Sequence, residues 1–199
     1  MGAQKAKPLS GTGDLILNVA ERRAQVLGFN GFSYGDIAGE LGVSTASIHY
    51  HFPTKSDLGV RLVERYTQRF SVALAEIAAD PMNACDKLAR YAAIYEDVLK
   101  GGRLCLCGML AAEIESLPAP MRTQVREFFA RNEDWLVRVL EEGAAAGDIA
   151  LDVDARATAR AVTAMLEGAL IVARAHGGLT SFRAATQILL RALCRHGGH

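Results

Sequence analysis

The sequence predicts an all-α chain: three short helices, a long connecting helix and a larger helical body. Three observations carry this. Apolar residues recur at helical spacing almost throughout, alternating strand patterns rich in Val, Ile and Thr are missing, and the periodic stretches are separated by short Gly- or Pro-containing breaks. The first helix reads from about Asp14, as cap, through Ile16, Val19 and Ala20 to Leu27, with Gly28 as its stop. Ser33 precedes a short stretch, 34–41, with Ile37, Ala38 and Leu41 on one face, closed by Gly42. Ser44 caps a third helix that runs to about His51, where Pro53 excludes helical geometry from its neighbour. A helix of ~25 residues, ~37 Å long, then spans 55–79 up to Pro81.

Beyond Pro81 the periodicity gives helices at about 83–99, 103–116, 120–146, 154–175 and 181–196. The breaks are Gly101-Gly102, Leu117-Pro118-Ala119-Pro120, Gly147-Asp148 and Gly177-Gly178. There is no repeat of fixed period and no low-complexity linker. The expected division is 1–55 and 56–199.

Composition excludes several classes. With 199 residues, half of them hydrophobic, and 22 basic against 22 acidic side chains, the chain is neither disordered nor short of core. No stretch approaches about 18 uncharged apolar residues, so no membrane span is expected. Residues 1–10 lack the apolar run of a signal peptide, and Ala6 stands where a myristoylation signal at Gly2 requires Ser or Thr. The expected compartment is the cytoplasm. Cys85, Cys105, Cys107 and Cys194 match no zinc spacing and are expected as small buried hydrophobes, with no metal and no cofactor. Residues 1–70 carry a net +2, too little to identify a nucleic-acid binder by charge alone.

A motif decides more. Residues 32–52 pattern as two short helices joined by a tight Gly-containing turn, a helix-turn-helix whose second helix enters the DNA major groove. Leu41, Val43, Ile48 and Phe52 are spaced to lock the two helices together. Thr45 and His49, one turn apart, then share an outward face with Ala46, where small and polar groups reach base edges. Ser47, Tyr50 and Lys55 stand where hydroxyls and an ammonium meet phosphate oxygens, and the start of the long helix favours a phosphate too. His51 is expected to pack rather than to read bases.

The run Gly42-Val-Ser-Thr-Ala-Ser-Ile-His-Tyr-His-Phe-Pro-Thr-Lys-Ser-Asp-Leu58 resembles the recognition helix and following turn of the TetR family of bacterial transcription regulators. Ile16–Ala20, Gly28-Phe29 and Ser33–Ala38 align with that family's first two helices, so the resemblance is specific over roughly 14–60. It implies an N-terminal helix-turn-helix DNA-binding domain joined by a long helix to a C-terminal helical ligand-binding and dimerisation domain. It further implies a homodimer on a palindromic double-stranded operator, a repressor released by an effector that changes the separation of the two reading heads. By position, Thr45, Ala46 and His49 resemble base readers, and Ser47, Tyr50 and Lys55 phosphate contacts, with Tyr34 a weaker one. Three departures stand out: His49 replaces a common Tyr, Arg23-Ala24 replace large apolar residues and imply looser packing, and Gly35 removes one polar base contact.

In the body, residues 161–173 carry one charge, Glu167, so this helix is expected to be covered on all sides. Ala161, Met165, Gly168 and Val172 line one side. Phe182, Ala185, Ile188, Leu189, Ala192 and Leu193 form a stripe on the last helix, and together the two helices predict a four-helix dimer interface. The segment 103–113 resembles a branch of the family that responds to electrophiles, oxidants or small unsaturated acids. Cys105 and Cys107 point to nearly opposite sides of a helix, and Arg103 is placed to support a thiolate at Cys107. The effector, small molecule or electrophile, is expected near Cys105, Cys107 or Trp135, with Phe128 and Met109 as further apolar lining. Enzyme motifs such as a phosphate loop, nucleophile elbow or HExxH are missing. Two other classes remain open at this point: a helical protein-interaction adaptor and a cysteine-dependent enzyme.

Overall fold

The structure is a computed structural model that describes residues 11–194. The lysines at 5 and 7, the Gly2 signal and the predicted end of the last helix at 196 lie outside the described residues. Within them the chain is helical, with α1 (Gly11–Leu27), α2 (Tyr34–Leu41), α3 (Thr45–His51), α4 (Lys55–Ala79), α5 (Ala84–Lys100), α6 (Leu106–Ala112), α7 (Ala119–Ala146), α8 (Ala155–Ala175) and α9 (Gly178–Leu193). A single 3-10 turn, Ile114–Ser116, follows α6.

Local chemistry sets most boundaries. Ser33 and Asp36 form a capping box on α2, Thr54 and Asp57 form another on α4, and Gly42 ends α2 in the left-handed region at φ 66°. Asn83 and Asp154 cap α5 and α8 by accepting the amides of Asp86 and Ala157. The expected helix 103–116 is shorter than its periodicity suggests. Leu104 donates its amide to the Gln25 carbonyl of α1 (3.1 Å), which draws the segment out of helix until Leu106.

Two packed regions share one core. Ile16, Leu17, Ala20, Ile37, Ile48 and Phe52 fill the space among α1, α2 and α3, and α4 carries Leu58, Leu62, Val63, Tyr66, Phe70 and Leu74 from there into the body. Glu21 of α1, itself buried, accepts from Arg65 (3.0 Å) and Arg69 (2.5 Å) of α4 and ties the two regions together. No helix among the described residues is long and apolar enough to cross a membrane.

The body corrects two expectations. Cys85 and Cys194 are not separate thiols: their Cα atoms stand 5.8 Å apart and the sulfurs are bonded, joining the start of α5 to the end of α9. The pairing spans 109 residues of sequence, so only tertiary approach could reveal it. Phe182, expected on an outward stripe, is fully buried in the chain's own core. Met165, Leu189 and Leu193 are half-buried, while Ala161 and Gly168 are exposed. The outward face of α8 and α9 also carries Ile171, Val172 and Ile188, at 51%, 57% and 63% exposure. Ile171 had escaped the sequence reading.

Candidate functional site

The site begins with α2, the turn and α3. Ser44 caps α3 by accepting the Ser47 amide (3.2 Å), which orients the first turn. Ile48 and Phe52 point into the core, with Leu41 and Val43 half-buried beside them. This leaves Thr45, Ala46 and His49 exposed and Ser47 half-buried, while Tyr50 stands out at 82% exposure. His51 is half-buried, edge-on to the Tyr50 ring at 5.2 Å between centroids.

His49 is oriented by its neighbours. Its Nδ1 lies 3.1 Å from the Pro53 carbonyl, which can only accept, so Nδ1 carries a proton and Nε2 is the ring nitrogen turned towards the outside. The Tyr34 ring packs edge-on against it at 4.7 Å.

Two expected phosphate contacts turn inward. The Tyr34 hydroxyl donates to the Phe52 carbonyl (2.8 Å), and burial, with Asp57 adding to it, pushes its pKa up to about 12. That proton braces the α3–α4 turn instead of reaching a phosphate. The Lys55 ammonium donates to the Phe32 carbonyl and sits 4.8 Å and 4.5 Å from the centres of the Phe29 and Phe32 rings. Burial holds its pKa below the usual lysine value. The Thr54–Asp57 capping box takes the Asp57 amide, so the Lys55 and Ser56 amides of the first turn have no intrahelical acceptor, as at any helix start. The sequence places both side chains correctly along the chain but does not show that an inner carbonyl lies within reach.

The first-helix departures resolve physically. Ala24 is fully buried, and Arg23 leaves the core for the surface, pairing with Glu40 (2.9 Å) and donating to the Asp36 carbonyl (3.3 Å).

The segment 103–116 reaches the reading head through Glu113, a residue that sequence reasoning did not single out. The Glu113 carboxylate accepts the amides of Phe29 (3.0 Å) and Asn30 (3.2 Å) and the Asn30 side chain (3.1 Å), gripping the loop between α1 and α2. Arg103 donates to Gln25 (3.2 Å), so it does not stand beside Cys107 as expected. Cys105 and Cys107 are both buried, and burial pushes both thiols well above their usual pKa. They are held as thiols, the less reactive form. Trp135 is buried, donates to the Leu74 carbonyl (3.1 Å) and stacks on Tyr91 at 5.4 Å. Its outer edge lines a cavity of about 690 Å³ between α4 and α7. Phe128 lies in the same aromatic core, whereas Met109 is only half-buried.

Sequence comparison agrees with this geometry. Residues 16–62 match the domain described as bacterial regulatory proteins, tetR family, and residues 82–189 match the tetracyclin repressor-like C-terminal domain. Among solved structures, a TetR-family transcriptional regulator from Agrobacterium tumefaciens is 37% identical over 92% of this chain and 97% of its own, with a TM-score of 0.89. A TetR transcriptional regulator from Legionella pneumophila is 30% identical over 94% of this chain and 100% of its own, with a TM-score of 0.85. A regulatory protein TetR from Rhodobacter sphaeroides, 22% identical over 92% and 100%, shares the fold with a TM-score of 0.85. No curated protein matches the chain in sequence. With the head and the body each matched in order, the chain belongs to the TetR family of DNA-binding, non-enzymatic transcriptional regulators.

Proposed function

We infer that the chain is a cytoplasmic repressor that binds a palindromic operator as a homodimer and leaves it when a small molecule occupies the body. The observation that carries this reading is the outward face of α3. It presents Thr45, Ala46 and His49 together, with Tyr50 beside them, on a helix locked to the core by Ile48 and Phe52. With Nδ1 donating to Pro53, the His49 tautomer protonated there offers Nε2 as an acceptor, which suits the amino group of cytosine or adenine in the major groove. Ser47, Tyr50 and the open amide end of α4 reach phosphates on either side.

The head, about 1–55, reads DNA, and the remainder, 56–199, pairs and senses. The exposed apolar surface of α8 and α9 supports pairing, since Ile171, Val172 and Ile188 otherwise face water beside Gly168 and Ala161. A two-fold pair sets its α3 helices about one turn of duplex apart, roughly 34–36 Å, and so requires a palindrome. The segment 103–116 supports release, because it touches the body's interior at one end and the α1–α2 loop through Glu113 at the other. The buried, protonated Cys105 and Cys107 favour a noncovalent effector. The test is operator selection from a random duplex library followed by mobility shift. Recovery of a two-fold sequence bound with salt-dependent affinity supports the reading, and failure to enrich any sequence refutes it.

A further inference from the structure

The body holds a carboxylate to which the described residues supply no counter-ion. Glu167 of α8 is half-buried, its carboxylate lies against Gly108 of α6, and its Oε1 is buried and accepts no hydrogen bond among the described residues. Gly108 makes the space: a Cβ there would lie 2.3 Å from Glu167 Oε2. Burial raises the carboxyl to about 7, and the one group that opposes the shift is the Cys105 thiol, not a cation.

The surroundings are aromatic and neutral. Tyr66 of α4 donates to the Cys105 sulfur (3.6 Å), and the hydroxyls of Tyr91 and Tyr95 of α5 meet at 3.0 Å. All three tyrosines feel the Glu167 charge, and burial pushes each pKa upward, as it does those of Cys105 and Cys107 from α6. Glu167 is therefore the group in this cluster that titrates near neutrality. A buried carboxylate is costly unless paired, and aromatic faces attract cations and repel anions. A hard metal ion is a poor solution, because no group of three or more His, Cys, Asp or Glu able to hold one exists among the described residues.

We propose that the Glu167 cluster takes a monovalent organic cation with an apolar body, an alkyl- or arylammonium, with Glu167 as counter-ion and Tyr66, Tyr91 and Tyr95 as walls. This deepens, and rests on, the reading of the chain as a ligand-released regulator. Tyr91, Tyr95, Cys105 and Cys107 are fully packed while Glu167 is half-buried, so a cation enters past Glu167 and moves the short helix α6 away from α8 at Gly108. Six residues along from Gly108's neighbour Cys107 stands Glu113, whose carboxylate holds the Phe29 and Asn30 amides. Displacing α6 loosens that grip and frees the reading head to change its angle.

The test titrates the full chain with tetramethylammonium, benzyltrimethylammonium and neopentylbenzene, the neutral isostere of the second. Calorimetry and the emission of Trp135, the single tryptophan and stacked on Tyr91, report binding. At least one ammonium should saturate, benzyltrimethylammonium at least about tenfold tighter than neopentylbenzene, and Glu167→Gln should weaken it at least about tenfold while sparing the neutral compound. In the unaltered chain the ammonium should bind about tenfold more weakly for each pH unit below 7, because a proton must leave Glu167. Equal binding of the neutral isostere, an unaffected Glu167→Gln or no response to any ammonium overturns the proposal. The same preparation is tested on its selected operator: DNA binding without an ammonium response defeats this inference alone, while no DNA binding defeats the functional reading.

Discussion

The reading head and the interior of the body use polar groups in opposite ways. At its caps and turns the head supplies its own partners, Ser33 with Asp36, Thr54 with Asp57 and Tyr34 with the Phe52 carbonyl, and the Phe29 and Asn30 amides are held by Glu113 of the body. In the body a carboxylate lies inside with one oxygen unpartnered. The difference separates a surface that must be rigid before it meets DNA from an interior whose charge is unresolved without something further. A rigid head lowers the ordering cost of binding, and an unresolved interior gives a ligand something to stabilise.

The largest expected effect tests whether the head works only in pairs. Gly168 is exposed, and an added Cβ there meets nothing within 4 Å, so the isolated fold tolerates substitution. Gly168→Glu or Ile171→Glu should leave helical content intact but place an unpaired charge in the α8–α9 contact between copies, costing about 3–5 kcal/mol. Sedimentation should show monomer, and operator affinity should fall together with it. A monomer that keeps full operator affinity breaks the link between the two regions.

The next effect probes the interior by pH. A carboxyl whose folded pKa lies near 7, above its usual 4.5, binds its proton more tightly when folded. Its contribution is fully present below about pH 4.5 and is lost as pH rises through about 7, roughly 3 kcal/mol in all. Glu167→Gln should therefore be more stable than the unaltered chain at pH 8, with the gap closing by pH 5. Thermal unfolding at the two pH values measures it, and a gap independent of pH would show that Glu167 is ionised in the folded chain.

The head was far more legible in the sequence than the interior, for a physical reason. Caps, turn glycines and apolar spacing act over three or four residues, so α2, α3 and α4 could be read almost to the residue, and with them the outward set Thr45, Ala46 and His49. The Cys85–Cys194 bond, the Glu113 grip and the inward turn of Lys55 depend on segments that meet only in the fold. Glu167 was visible as the one charge in an apolar run, yet its lack of a partner is a tertiary fact. Helix length failed most at 103–116, where the Gln25 carbonyl takes the Leu104 amide; α1 also begins at Gly11, which puts Asp14 inside its first turn rather than at its cap, and α9 begins at Gly178 rather than at 181.

Smaller effects sharpen the division within the head. His49→Ala should change which base pair is preferred, by about 1–3 kcal/mol at that position, with other positions unaffected; selection from a library measures it. Tyr34→Phe and Tyr50→Phe remove the same atom with opposite outcomes expected. The first loses the Phe52 contact and should cost about 1 kcal/mol of stability. The second is exposed and should leave stability unchanged while weakening all DNA sequences alike. Reversed outcomes would exchange the two roles.

The smallest expected effect concerns Lys55. A lysine on a phosphate releases counterions, so its removal would lower the slope of log affinity against log salt by about 0.9. The Lys55 ammonium instead donates to the Phe32 carbonyl between the Phe29 and Phe32 rings. Lys55→Met keeps the aliphatic stem over those rings and removes only the donor. It should cost at most about 1 kcal/mol of stability, since the site is half-exposed and the carbonyl can turn to water. The salt slope should stay within error of the unaltered chain in a mobility-shift series across salt concentrations. A drop near one unit would mean that the side chain leaves Phe32 when DNA arrives, and that the head, too, holds a group in reserve for its ligand.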